Sequence, residues 1–151
     1  IRHPEHVGKI IVGSALCKRN GVPSQVWDFM KNATLDQMPQ PYKDAYLNTS
    51  AHPENLKIMC DKCAKRMVDF KDISDKQLQS IKAPVLIVIG DADVMTPEHA
   101  VEMHRLIPNS QLAIIPGGHG EYIGEITTLK PETKNTEFIT PLIEKFLKQK
   151  N

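Results

Sequence analysis

Hydrophobic positions in this chain gather into three short continuous runs, separated by stretches where they recur every three or four residues. The runs are Ile10-Ile11-Val12, bounded by Gly8 and Gly13, then Val85-Leu86-Ile87-Val88-Ile89, then Leu112-Ala113-Ile114-Ile115. The second run, mostly β-branched, predicts a central strand covered on both faces; the first, bounded by glycines, reads as a buried strand, and the third as a strand. Between the first two runs, from about residue 18 to 75, no strand pattern occurs. Trp27, Phe29 and Met30 begin an apolar patch that Pro39 and Pro41 interrupt. After His52-Pro53-Glu54, the residues Leu56, Met59, Cys60, Cys63, Met67 and Phe70 follow a 3.6-residue period, which predicts a helix with proline at its first position.

Two further helices follow from their start signals and spacing. Thr96-Pro97-Glu98 offers a capping hydroxyl, a proline at the first helical position and a carboxylate near the positive end of the helix dipole. Ala100, Met103 and Ile107 mark that helix's buried face. A closing helix carries Phe138, Leu142, Ile143, Phe146 and Leu147, with Pro141 in its first turn or at a kink, and residues 124–135 read as a polar loop. The order strand, helical insert, strand, helix, strand, helix predicts an α/β fold: a parallel sheet with right-handed crossovers. Three segments follow, 1–17 with the first strand, 18–75 as a helical insert and 76–151 as the second part of the core.

Composition narrows the partners more than the fold. The 151 residues suit one domain, or a large piece of a bigger one. Nineteen basic against 18 acidic residues leave a formal charge of +1, which argues against a polybasic nucleic-acid surface. No apolar run approaches the roughly 20 residues of a membrane span. Three cysteines cannot close a disulfide set, which favours a reducing, cytoplasmic setting. The opening residues lack an initiator Met and read as a helix tail, a turn at His3-Pro4 and a strand. The expectation is a fragment whose upstream part is missing.

Functional groups of parallel sheets sit beyond the carboxyl ends of the strands. Asp93 follows the second run and His119 the third. A histidine base works better when a carboxylate fixes its tautomer and stabilises the imidazolium. Turns after neighbouring strands about 4.8 Å apart can bring such a pair together. Asp91 competes for the acid role, but Asp93 lies one step further from the strand.

At this point the residues resemble a family. Gly90-Asp91-Ala92-Asp93-Val94-Met95-Thr96-Pro97 is similar to the acid turn of the α/β-hydrolase superfamily, G-x-x-D-x-x-x-P, and the spacing to Pro97 favours Asp93. Ile115-Pro116-Gly117-Gly118-His119-Gly120 resembles its histidine loop, and Arg2-His3-Pro4-Glu5-His6-Val7 the stretch after its nucleophile helix. The resemblance covers nearly the whole chain. It implies the C-terminal part of an α/β-hydrolase fold, with the 18–75 insert as cap or lid. It also implies Asp93 as triad acid, His119 as triad base, a small ester-like substrate, and neither metal nor other cofactor. The family's nucleophile stands in a G-x-S-x-G elbow, and none occurs here. Val12-Gly13-Ser14-Ala15-Leu16 lacks the second glycine and follows the wrong strand. The chain alone is therefore expected to be inactive. It would need the missing N-terminal half of the fold, or a second chain pairing the exposed edge of the first strand. The competing reading is a non-catalytic interaction module built on this half-fold.

Other signals carry less. Cys60-Asp61-Lys62-Cys63 has metal or redox spacing, but no second pair follows and both thiols fall on the predicted apolar face. The pairs His3/His6 and His99/His104 lack a carboxylate and a third ligand at convincing spacing. The glycines at 117–120 lack the Lys-Ser/Thr of a phosphate loop.

Overall fold

The computed structural model describes residues 2–130, 132 and 134–149, which form two compact units, 1–22 with 72–151 and 23–71. Ile1 and residues 131 and 133 of the expected 124–135 loop lie outside the described residues. Residues 18–22 and 72–75, grouped with the insert by sequence, belong to the first unit. Lys18 explains part of this, since it pairs with both Asp75 and Glu102.

In the first unit, β1 (Ile10–Gly13), β2 (Val85–Gly90) and β3 (Ser110–Ile115) form a parallel sheet in the order β1-β2-β3. The register pairs Gly13 with Val88 and Gly90 with Ile115, so all three strands end on one side of the unit. Every residue of β2 is buried. Val85, Ile87 and Ile89 pack with Leu78, Ala100, Met103 and Ile107, whereas Leu86 and Val88 face Tyr122, Ile139 and Phe146. A central strand with apolar layers on both faces accounts for its lack of alternation.

Three helices of the first unit supply those layers: α4 (Asp75–Gln79), α5 (Pro97–Leu106) and α6 (Asn135–Lys148). The Thr96 hydroxyl caps α5 by accepting from the His99 N–H, and Pro97 opens the helix, as its start signal predicts. Asn135 already begins α6, so of the two places expected for Pro141 the first turn is excluded and the helix interior holds. The helix departs from expectation in its faces. Ile139 and Phe146 are its buried residues, and Phe138 (74% exposed) and Leu147 (53%) turn outward. Lys9 closes its far end by donating from Nζ to the carbonyls of Phe146, Leu147 and Gln149, which satisfies acceptors that a helix C-terminus leaves unpaired.

The second unit contains α1 (Ser24–Lys31), α2 (Gln40–Thr49) and α3 (Leu56–Val68). Pro53 opens a short 3-10 turn before α3 rather than α3 itself, and Phe70 lies past the helix end. Trp27 stacks on Phe70 with ring centroids 5.9 Å apart. Cys60 is buried, but Cys63 is exposed, contrary to the expectation that both thiols are covered. Three residues along a helix is 300° of rotation, enough to carry one of two neighbours off a narrow buried stripe. Among the described residues no helix is long and apolar enough to cross a membrane.

Candidate active site

Beyond β2 the chain turns through residues 91–96 into α5, and beyond β3 it turns through Pro116, Gly117 and Gly118 to His119. The two turns are stitched together. Asp91 N–H donates to Ile115 O at 2.8 Å, Ala92 N–H to Gly117 O at 3.1 Å, and Gly117 N–H to the Asp91 carboxylate at 2.9 Å. Asp91 therefore serves the turn backbone. Gly120 takes φ +63°, a left-handed conformation that costs glycine little and other residues more. Glu121, almost wholly buried, accepts from the Gly118 N–H and the Asn135 side chain, both at 3.0 Å. Thr128 Oγ1 donates to the His119 carbonyl at 2.6 Å.

These restraints bring Asp93 and His119 together. His119 Nδ1 lies 2.9 Å from Asp93 Oδ1. The Asp93 side chain is fully buried and that of His119 is 38% exposed. An ionised carboxylate only accepts, so Nδ1 carries the hydrogen, and the neutral ring's basic nitrogen is Nε2. Nε2 makes no hydrogen bond among the described residues. Burial pushes the Asp93 carboxyl up. Bonds from His119, from Ser14 and from the Met95 N–H (3.1 Å) outweigh it and hold the group below the ordinary carboxylate range. The Asp93 bond raises the His119 imidazole, against the opposing pull of burial.

Ser14 completes the arrangement, and sequence reasoning placed no role on it. It follows β1 directly, is buried, and holds φ +45°. Its Oγ donates to Asp93 Oδ2 at 2.5 Å, accepts from Gly120 N–H at 3.3 Å, and lies 3.0 Å from the Tyr122 hydroxyl. The advance signal was a small polar residue after a glycine at the carboxyl end of a strand.

The histidine pairs set aside above do not converge on a metal. His99 Nε2 accepts from the Cys17 N–H at 3.1 Å and lies 3.3 Å from Cys17 Sγ. His104 Nδ1 meets Ser110 Oγ at 2.8 Å. His3 and His6 each approach the exposed Glu5 instead. Burial pushes the Cys17 thiol up to about 11, the reverse of an activated nucleophile. Among the described residues no three His, Cys, Asp or Glu side chains gather as metal ligands would.

Scans against protein-family models and against curated protein sequences return no match. Solved structures do match. A meta-cleavage product hydrolase from Pseudomonas fluorescens, complexed with acetates, aligns at TM-score 0.63 and 19% identity over 97% of this chain and 57% of its own. The enol-lactonase from Burkholderia xenovorans LB400 aligns at TM-score 0.64 and 16% identity, over 98% and 59%. A thermophilic esterase from Thermogutta terrifontis aligns at TM-score 0.57 and 17% identity, over 96% and 58%. The chain thus spans less than two thirds of the length of these structures. What the sheet topology and these likenesses establish together is the fold: this chain has an α/β-hydrolase fold, over part of the length of the structures it matches.

Proposed function

We propose that this chain supplies the acid and the base of a Ser-His-Asp ester hydrolase, with Asp93 as acid and His119 as base. The observation that carries the reading is the 2.9 Å bond between His119 Nδ1 and the buried Asp93 carboxylate, with Nε2 left to face a nucleophile. A serine from a segment outside these 151 residues would attack an ester-like carbonyl. His119 Nε2 would take its proton and return it to the leaving alcohol, while Asp93 stabilises the imidazolium. Backbone donors for the oxyanion would come from the same outside segment. Ser14 does not fill the nucleophile's place, because its hydrogen goes to Asp93 rather than to His119. Residues 23–71 would act as cap. These residues hold an apolar cavity of about 190 Å³, lined by Phe29, Met30, Met38, Tyr42 and Met67. Three free cysteines suit a reducing cytoplasmic setting.

The test joins the chain to its upstream coding sequence and follows hydrolysis of p-nitrophenyl acetate. His119→Ala and Asp93→Asn should each lower kcat by about 10⁴-fold, the scale known for triad members, and the 151-residue chain alone should give no turnover. Unchanged turnover in either variant would defeat the reading. One observation favours the interaction module: β1 ends the sheet among the described residues and leaves Ile11 41% exposed. That reading predicts a tight complex through β1 and no turnover in the joined protein.

A further inference from the structure

Three strand ends meet at one hydroxyl. Ser14 stands after β1, Asp93 after β2, and Gly120 after β3, and the Ser14 Oγ contacts both of the others. We infer that Ser14 is a positioning residue for the Asp93–His119 pair, locking the acid and the histidine loop to a third strand. The inference rests on the proposed function, since it assigns Ser14 to that same site.

A count of hydrogens determines who gives to whom. The Asp93 carboxylate is ionised and can only accept, so the single hydroxyl hydrogen of Ser14 goes to Oδ2. Oδ1 is already occupied, by His119 Nδ1–H and the Met95 N–H. With its hydrogen committed to Asp93, Ser14 Oγ accepts from the Gly120 N–H, and its 3.0 Å approach to the Tyr122 hydroxyl, whose own hydrogen goes to Val88 O, carries no hydrogen bond. The Tyr122 phenol closes the back of the site. It donates to the Val88 carbonyl at 2.9 Å, while that carbonyl also receives the Ser14 N–H at 2.9 Å. Each carboxylate oxygen therefore has a donor, and the residue that follows His119 is tied to the donor on Oδ2. A rotation of the Asp93 carboxylate would break its bonds to the ends of β1 and β3 and to its own turn at once.

Conformation separates this role from simple turn formation. At φ +45° a glycine would fit better than serine, for want of a Cβ. A residue retained only to make the turn is improved by glycine, whereas one retained for its hydroxyl is not.

The experiment exploits that opposition with Ser14→Gly, backed by Ser14→Ala, in the full chain. Folding is checked by thermal melting, and the pair is followed by NMR through the His119 Nδ1 proton and the titration of the Asp93 carboxyl carbon. The expected result is a folded Ser14→Gly protein in which the Asp93 midpoint rises and the Nδ1 proton signal is lost to exchange. In the protein joined to its upstream segment, kcat should fall about tenfold with KM little changed, on the scale of one hydrogen bond to a charged group. A Ser14→Gly protein with wild-type Asp93 titration and an intact Nδ1 signal would overturn the inference. If Ser14→Gly fails to fold, the same readouts on Ser14→Ala decide the matter in the same way. Failure of the proposed function looks different: Asp93 and His119 couple as described in the wild type, Ser14→Gly uncouples them, yet the joined protein hydrolyses no ester.

Discussion

Replacing Gly90 with alanine measures how closely the acid turn and the histidine loop are held. Gly90 ends β2, and a Cβ there would point into the backbone of the neighbouring turn. It would stand 2.7 Å from Gly118 O and 2.9 Å from the Gly117 carbonyl carbon, and closer still to Gly117 O. Ordinary contact begins near 3.4 Å, so the turns must part by roughly 0.7 Å at the Gly118 oxygen and by more at Gly117. No flexible side chain can absorb this, because the obstacles are main-chain atoms. Overpacking of this kind costs about 1–3 kcal/mol. The three hydrogen bonds that stitch the turns, each worth about 1 kcal/mol, stretch with it. We expect Gly90→Ala to lose about 2–4 kcal/mol, a fall of about 1–2 M in the urea midpoint. Gly8→Ala is the control, since nothing lies within 4 Å of its Cβ and its midpoint should not move. Trp27 is the sole tryptophan and lies in the second unit, so amide hydrogen exchange over Val85–Gly90 reports the relevant transition. Equal midpoints for Gly90→Ala and wild type, or an equal loss in Gly8→Ala, would refute the argument.

Three further outcomes follow from the same structure. Burial lowers the His99 imidazole from its ordinary 6.5, and its Nδ1 has no hydrogen-bond partner, Glu102 being 3.6 Å away. The unfolded chain therefore binds the extra proton first, so the His99 contribution is present above pH 6.5 and is lost as pH falls through the lower folded value. His99→Gln should flatten the slope of stability against pH between 7 and 5, and an unchanged slope would count against this. Iodoacetamide mapped by mass spectrometry should modify Cys63 readily and leave Cys17 and Cys60 unmodified until the protein unfolds, as their burial requires. Phe146→Ala should cost about 3–5 kcal/mol and Phe138→Ala less than about 0.5, because the first side chain is 1% exposed and the second 74%. A reversed order in chemical denaturation would show that α6 packs on its other face.

Much of this fold is legible residue by residue. The run at 85–89 reads as a doubly covered strand, and it is. Thr96-Pro97 reads as a helix start, and it caps α5 as expected. Each of these rests on interactions among residues a few positions apart. The errors arise where neighbours in sequence say little. Phe138 fits the apolar spacing of α6 as well as Ile139 does, and which of them faces the core depends on how the helix lies against β2 and β3. Cys63 fits the period of α3 and still stands at the surface.

For the site, the sequence alone determines that a carboxylate and an imidazole follow successive strands, because hydrophobic runs and turn residues mark where strands stop. It leaves Asp91 and Asp93 as rivals, two residues apart in one turn. Tertiary structure decides between their surroundings, giving Asp91 to the Gly117 N–H and Asp93 to His119. It also brings in Ser14, 79 residues from Asp93 and 106 from Gly120. Helix and strand signals are written in local spacing, but a hydrogen bond between distant turns exists only once the register of a parallel sheet has set the strand ends side by side.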